Sequence, residues 1–122
     1  MKKILILMFS LSSLLGCKSE SKAMVQIVSV AEFKEGLSNN EVQLIDVRTP
    51  KEYNDGHIEN ARLIDFLSED FKIKIQELDK EKPIYLYCRS GGRSGKASKV
   101  MEEFGFKEIV DLEGGYMAWS KK

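Results

Sequence analysis

The stretch from Pro83 to Gly105 constrains the fold most strongly, because a strand pattern changes to a helix pattern across one short loop. Ile84–Tyr87 is a run of apolar and aromatic residues, which is typical of a buried strand. Apolar residues then recur at helical spacing until Gly105 ends the pattern, at Ala97, Val100, Met101 and Phe104. The sequence therefore predicts a strand, a loop that begins at Cys88, and a helix.

Strand and helix patterns also alternate along the rest of the chain. Strands are predicted at Gln26–Val28, Gln43–Val47, Ala61–Ile64, Ile84–Tyr87 and Glu108–Val110. Further helices are predicted from the Ser29 cap to about Leu37, from Pro50 after the Thr49 cap, over Phe66–Leu78, and after Gly114-Gly115. This alternation predicts an α/β fold with a mostly parallel sheet flanked by helices on both faces. Ligands of such sheets bind at the carboxyl ends of the strands, where Cys88 falls.

Cys88 has the sequence surroundings of an activated thiol. Gly91 and Gly92 allow backbone amides to turn toward an anion, and the predicted helix begins just after them. Arg89 and Arg93 add positive charge, which favours the reactive thiolate over the thiol. A cysteine at a strand end can instead be a small buried hydrophobic residue, but a core position would exclude this charge. We therefore predict that Cys88 is a nucleophile that faces an anionic substrate.

Four polar side chains of the same loop are candidate substrate contacts. Arg89 and Arg93 can hold the oxygens of an anion, although Arg93 can nearly as well pair with a surface carboxylate. Ser90 and Ser94 can donate hydrogen bonds, although Ser94 also suits the first turn of the helix as a capping residue. Together with the two loop glycines, these residues form the predicted substrate-binding set around the catalytic Cys88.

The first residues have the pattern of an export signal. Lys2 and Lys3 precede the apolar run Ile4–Leu15, which is too short to span a membrane. The run ends in the sequence Leu14–Cys17, which resembles the lipobox of bacterial lipoproteins. That resemblance implies cleavage before Cys17 and acylation of this cysteine. An ordinary signal peptide followed by a coincidental cysteine is the alternative.

The predicted organisation is a signal peptide over residues 1–16, a lipidated cysteine with its tether over residues 17–25, and one domain over residues 26–122. We expect export and a lipid anchor in a bacterial membrane, with the domain facing the periplasm. Because the chain has two cysteines, lipidation of Cys17 would leave Cys88 as the single free thiol. The chain has no basic stripe, and we expect no nucleic-acid partner.

Other polar residues are expected to stabilise the fold rather than to take part in catalysis. Asp46 and Arg48 end a predicted strand, and we expect a charge pair that holds loops together. His57, the single histidine, lies in a Gly-His-Ile turn. Because the loop already favours the Cys88 thiolate, no base is needed, and we expect a structural role for His57 rather than catalysis. One histidine and one free cysteine cannot form a Cys/His metal cluster, so we expect no metal site, and we expect no cofactor.

The Cys88 loop and three outlying motifs resemble a single-domain rhodanese and occur in the family's order. The outlying motifs are Leu44–Pro50 with Glu52-Tyr53, Gly56–Ala61, and Glu113–Trp119. The resemblance covers nearly the whole domain and implies a five-stranded sheet flanked by helices. It also implies a Cys88 persulfide that moves sulfane sulfur from thiosulfate, or a similar small anionic donor, to a thiol, cyanide or protein acceptor.

The length of the cysteine loop distinguishes two enzyme classes. Rhodaneses have a six-residue loop that starts at the cysteine, which here is Cys88–Arg93. Related phosphatases and arsenate reductases have a loop one residue longer, and Ser94 stands where their arginine would be. The sequence therefore favours sulfur transfer over phosphatase or arsenate reductase chemistry. A non-catalytic binding module is the third hypothesis, which the presence of Cys88 disfavours.

Overall fold

The structure, a computed structural model, describes residues 23–121 and confirms the alternation of strands and helices. The strands are β1 (Met24–Val28), β2 (Gln43–Asp46), β3 (Arg62–Leu63), β4 (Ile84–Tyr87) and β5 (Glu108–Leu112). The helices are α1 (Val30–Gly36), α2 (Pro50–Asn54), α3 (Phe71–Ile75), α4 (Gly92–Glu103) and α5 (Gly115–Trp119). Residues 1–16 and Cys17, the predicted signal peptide and lipidation site, lie outside the described residues. In the described range, no helix has the length and apolarity needed to cross a membrane.

The five strands form one sheet in the order β1-β5-β4-β2-β3, and every neighbouring pair is parallel. The predicted mostly parallel, five-stranded sheet is therefore confirmed. Because parallel strands end at the same edge of a sheet, the residues that follow β2, β4 and β5 meet there. Cys88 directly follows β4, the central strand of the sheet.

Apolar side chains bury both faces of the sheet, which explains why the strands read as nearly continuous apolar runs. Leu86 of β4 points into a cluster that includes Phe71 of α3 and Met101 of α4. Tyr87, its neighbour in the strand, points into a second cluster that includes Phe33 of α1. Helices α1 and α5 thus cover one face, and helices α3 and α4 cover the other. The hydrophobic effect on both faces holds the central strand, and therefore Cys88, in place.

Two capping boxes fix the starts of α1 and α2, at the two caps that the sequence predicts, Ser29 and Thr49. The Ser29 hydroxyl accepts a hydrogen bond from the Glu32 amide at 3.2 Å, and the Glu32 carboxylate accepts one from the Ser29 amide. Thr49 and Glu52 form the same reciprocal pair at the start of α2. Each pair satisfies backbone N–H groups that the helix itself cannot.

The predicted helix over Phe66–Leu78 is wrong in length, because α3 covers only Phe71–Ile75. Polar side chains ahead of it bind the backbone locally and compete with helix formation. The Asp65 carboxylate accepts a hydrogen bond from the Leu67 amide at 2.9 Å. The Phe66 amide instead donates to the Val47 carbonyl at 3.0 Å, which ties this segment to the end of β2.

Candidate active site

Cys88 lies at the carboxyl end of β4 with its thiol turned inward, and its side chain is buried. Its Sγ accepts a hydrogen bond from the backbone amide of Gly91 at 3.0 Å. The Ser94 Oγ lies 3.5 Å from the same sulfur atom. The loop therefore curves around the sulfur and places hydrogen-bond donors on it, as the chemistry of an anionic sulfur requires.

The surroundings of Cys88 favour its thiolate. Burial raises the pKa of Cys88, but hydrogen bonds from the hydroxyl and amide of Ser94 and from the amides of Gly91 and Ser90 lower it by more. The net result is a pKa below that of an ordinary cysteine thiol. The structure thus brings the thiol, the loop amides and the Ser94 hydroxyl together, whereas the Ser90 side chain is exposed and only its amide acts on the sulfur.

Glycine geometry makes this loop possible. Gly91 has a φ of +128°, a backbone conformation that residues with a Cβ rarely adopt, and it immediately precedes α4. Gly92 is the first residue of α4, and a Cβ there would meet open space. The first turn of α4 therefore directs free N–H groups and the positive end of its dipole toward the sulfur.

Helix α5 fixes the first peptide of the loop. The Tyr116 amide donates to the Cys88 carbonyl at 2.8 Å, and the Met117 amide donates to the Arg89 carbonyl at 3.0 Å. A Cβ at Gly115, whose φ is +59°, would lie 2.5 Å from the Arg89 carbonyl oxygen. The Gly114-Gly115 pair, whose second residue begins α5, is therefore part of the site. Its sequence signal was limited to a turn, because only the tertiary structure brings it against Cys88.

Arg93 forms an ion pair with a carboxylate of α2. Its guanidinium forms two hydrogen bonds with Glu52, one between Nη1 and Oε1 at 2.7 Å and one between Nη2 and Oε2 at 2.9 Å. Hydrogen bonding to Arg93 lowers the pKa of Glu52 to about 2, against the opposing effect of burial. Of the two roles expected for Arg93, the structure thus shows pairing with a carboxylate. The same Glu52 also caps α2, so one side chain links α2 to the start of α4.

Arg89 is the cation that this arrangement leaves available to a substrate. Its side chain is exposed, and within residues 23–121 no carboxylate forms an ion pair with it. It borders a depression of about 240 Å³ whose other walls include Tyr116 and Met117. Among the same described residues, no group of three or more His, Cys, Asp or Glu side chains is placed to hold a metal ion.

Asp46 and Arg48 form the charge pair that the sequence predicts, and both are almost completely buried. Arg48 Nη2 donates to Asp46 Oδ2 at 2.7 Å and to the Gly56 carbonyl at 2.7 Å. The guanidinium also lies 4.5 Å from the centre of the Tyr116 ring, in a cation–π contact. The pair therefore connects the end of β2, the turn at Gly56 and helix α5.

His57 has contacts that suit the expected structural role. Its ring stacks on the Tyr53 ring with the centres 3.7 Å apart and the planes 5° apart. Its Nδ1 lies 2.8 Å from the Tyr53 carbonyl oxygen, so the imidazole is held against α2. In the next residue of the same turn, the Ile58 amide donates to the Tyr87 hydroxyl at 3.0 Å. These contacts attach the Gly-His-Ile turn to the core.

Known proteins match this chain along most of its length. The Bacillus subtilis protein YqhL is 37% identical over 99 residues, which is 81% of this chain and 75% of YqhL. The B. subtilis putative sulfurtransferase YtwF is 40% identical over 96 residues, which is 78% of this chain and 90% of YtwF. The tRNA uridine(34) hydroxylase of Chlamydia pneumoniae is 34% identical over 114 residues, or 88% of this chain, but the chain spans only 35% of that relative.

Solved structures and a family model also match this chain. A rhodanese-like domain protein from Staphylococcus aureus matches with a TM-score of 0.69 and 33% identity, over 77% of this chain and 90% of that one. A rhodanese-related protein from Thermoplasma volcanium matches with a TM-score of 0.69 and 28% identity, over 79% of this chain and 91% of that one. The model of the rhodanese-like domain matches residues 29–122. The chain therefore belongs to the rhodanese-like domain family.

Proposed function

We propose that this protein is a sulfurtransferase in which Cys88 accepts a sulfane sulfur and passes it to a second molecule. The observation that carries the proposal is the environment of Cys88 Sγ, which accepts a hydrogen bond from the Gly91 amide at 3.0 Å inside a six-residue loop. Thiosulfate, or a small anion like it, is the proposed donor, and a thiol, cyanide or a protein is the proposed acceptor. The name of the relative YtwF, a putative sulfurtransferase, agrees with this chemistry.

In the first half-reaction, the Cys88 thiolate attacks the outer sulfur of thiosulfate. A new S–S bond forms at Cys88 while the S–S bond of thiosulfate breaks, and sulfite leaves with the bonding electron pair. The lowered pKa of Cys88 supplies the thiolate without a separate general base. Arg89, exposed beside the loop, attracts the anionic donor and orients its oxygens.

In the second half-reaction, the acceptor attacks the outer sulfur of the Cys88 persulfide. The bond between the two sulfur atoms breaks, and Cys88 returns to its thiolate form while the acceptor keeps the transferred sulfur. The amides of the loop and the first turn of α4 stabilise the anion in both states, because they point at the position where negative charge resides. The same donors thus serve the resting thiolate and the loaded persulfide.

Phosphoryl or arsenate chemistry is the weaker proposal, since the loop is one residue shorter than those enzymes use. Arg93, which closes the loop, is already bound through two hydrogen bonds to Glu52. The activity named for the chlamydial hydroxylase belongs to a protein of which this chain spans about a third. Sulfur transfer is therefore the function that the site supports best.

Intact mass spectrometry of the purified protein tests the proposal. Incubation with thiosulfate should add one sulfur atom to the wild-type chain, and cyanide should remove that atom and form thiocyanate. Cys88→Ser should acquire no sulfur, because its hydroxyl cannot form a persulfide. Absence of the adduct with thiosulfate, polysulfide and mercaptopyruvate, together with hydrolysis of a phosphate ester, would contradict sulfur transfer.

We further propose that the domain works outside the cytoplasm, held to a bacterial membrane by a lipid on Cys17. The sequence Leu14–Cys17 after a basic and then apolar start supports this location. Cells that make the wild-type chain should incorporate labelled palmitate into it, and the chain should sediment with membranes. Cys17→Ser should lose the label, whereas Cys88→Ser should keep it. A wild-type chain without label would show that the lipobox is coincidental.

A further inference from the structure

The ion pair between Glu52 and Arg93 joins helix α2 to the loop that holds Cys88. The Arg93 guanidinium donates to both carboxylate oxygens of Glu52, at 2.7 and 2.9 Å. Arg93 belongs to the turn of the chain that contacts the Cys88 sulfur. Two residues before it, the Gly91 amide donates to Sγ at 3.0 Å, and one residue after it, the Ser94 Oγ lies 3.5 Å from the same atom. A guanidinium on this turn would reach an anion at Cys88 if Glu52 did not hold it.

The position of the Glu52 carboxylate is fixed by its own helix. Its Oε1 accepts hydrogen bonds from the amide and the hydroxyl of Thr49, both at 3.1 Å, as part of the capping box of α2. The side chains of Arg93 and Glu52 are only 24% and 25% exposed. Hydrogen bonding to Arg93 lowers the pKa of Glu52 to about 2, so the carboxylate is ionised at physiological pH. A carboxylate that is both fixed and charged keeps Arg93 paired.

Glu52 also lies on the wall of the depression that Arg89 borders, whereas Arg93 does not line it. Four charged residues line this depression, and Arg89 is the one without an ion-pair partner among residues 23–121. The other three are paired, Arg48 with Asp46, Glu52 with Arg93, and Asp55 with Lys51. Within the described part of the chain, this pairing leaves a single free cation on the depression.

A second free guanidinium would change which anions such a site retains. Phosphate and sulfate are tetrahedral oxyanions, and each additional arginine that binds one of them adds charge-assisted hydrogen bonds. Neither ion carries a sulfane sulfur, so either would occupy the site without loading Cys88. The proposed reaction also releases sulfite, another oxyanion that two cations would hold more tightly than one. A sulfurtransferase therefore gains from keeping Arg93 paired.

We propose that Glu52 determines the anion selectivity of the site by holding Arg93 away from an anion bound at Cys88. Glu52 is a positioning residue, because it acts on the anion through Arg93 and not by contact. While Arg93 is paired, oxyanions without a transferable sulfur bind weakly and sulfite leaves readily. The proposal rests on the proposed function in one respect, which is that the substrate of Cys88 is an anion.

Protection of Cys88 from alkylation by inorganic phosphate tests the proposal. Iodoacetamide is uncharged and reacts with the thiolate, and phosphate bound beside Cys88 should slow this reaction. Mass spectrometry of the Cys88 peptide follows the label while potassium chloride keeps the ionic strength constant. In Glu52→Gln, Arg93 is released, so the phosphate concentration that halves the rate should fall about tenfold, the effect of one added charge-assisted hydrogen bond.

Glu32→Gln is the matched control. Glu32 has the same place in the capping box of α1, but it forms no ion pair within residues 23–121. Glutamine can replace glutamate in a capping box, so both helices should keep their starts. Glu32→Gln should leave the half-protecting phosphate concentration unchanged. Glu52→Gln/Arg93→Met should return that concentration to the wild-type value, because the released guanidinium is gone.

The double variant also tests the proposal if Glu52→Gln fails to fold, because it leaves neither charge unpaired. Loss of phosphate protection in the double variant would overturn the proposal, since Arg93 would then bind the anion directly in the wild type. An unchanged half-protecting concentration in Glu52→Gln would overturn it too, even with lower thermal stability, because Glu52 would then only link two helices. Alkylation requires no sulfur transfer, so failure of the proposed function would appear in the persulfide measurement and not in this one.

Discussion

Arg48→Met should lower the free energy of unfolding by about 3–5 kcal/mol, the cost expected when one partner of a buried ion pair is removed. The carboxylate of Asp46 is fully buried. Arg48 donates hydrogen bonds to it from its guanidinium and also from its backbone amide. Methionine would fill much of the space but leave that charge without its counterion. It would also remove the bond to the Gly56 carbonyl, so the turn at Gly56 would separate from the end of β2.

Urea denaturation of three variants checks this prediction. Lys51→Met breaks an ion pair of the same type with Asp55, but both of those side chains are largely exposed, so the midpoint should stay near that of the wild type. The double variant Asp46→Asn/Arg48→Met should recover part of the loss, since no unpaired charge remains. Equal midpoints for Arg48→Met and Lys51→Met would show that the buried pair contributes nothing to stability.

Gly115→Ala should both destabilise the domain and slow persulfide formation. The added methyl group would meet the Arg89 carbonyl oxygen at 2.5 Å and the Cys88 carbonyl oxygen at 2.6 Å, and neither backbone atom can move alone. The clash and the positive φ together should cost about 2–4 kcal/mol. Relief of the clash displaces the peptide that carries the nucleophile. A displacement of this kind should lower the rate of persulfide formation by about 10²-fold.

Gly95→Ala is the matched control for this substitution. Gly95 lies in α4 close to the same loop, but a Cβ there meets no atom within 4 Å. Alanine should therefore keep the rate and raise stability by up to about 1 kcal/mol, the usual difference between the two residues in a helix. Stopped-flow measurement of persulfide formation and thermal unfolding of both variants give the comparison. If Gly115→Ala reacts as fast as Gly95→Ala, the contact with α5 does not position Cys88.

The parts of the site that depend on neighbours in the sequence could be predicted. A buried strand, two glycines and a helix follow one another within Ile84–Glu103, so the position and surroundings of Cys88 follow from local pattern alone. The capping box of Ser29 and Glu32 is local in the same way. In both cases the residues that interact are a few positions apart, and the sequence displays them together.

The contacts that join distant segments could not be predicted. Glu52 was recognised only in a family motif, and nothing in the sequence shows that α2 lies against α4 so that it binds Arg93. The close approach of Gly115 to the Arg89 carbonyl likewise joins two segments that are distant in the sequence. The burial of Asp111 was missed for a different reason. The strand was predicted to end at Val110, whereas β5 continues to Leu112 and carries the carboxylate into the interior.

The strand order also determines when the domain can finish folding. Strand β1 pairs with β5 alone among the described strands, with Met24 opposite Glu108 and Val28 opposite Leu112. A ribosome must therefore synthesise nearly the whole domain before its first strand has a neighbour, and pairing between such distant segments is slow. The last strand to be made is therefore the one that completes the sheet, and a chain cut short before Leu112 would leave β1 without its partner.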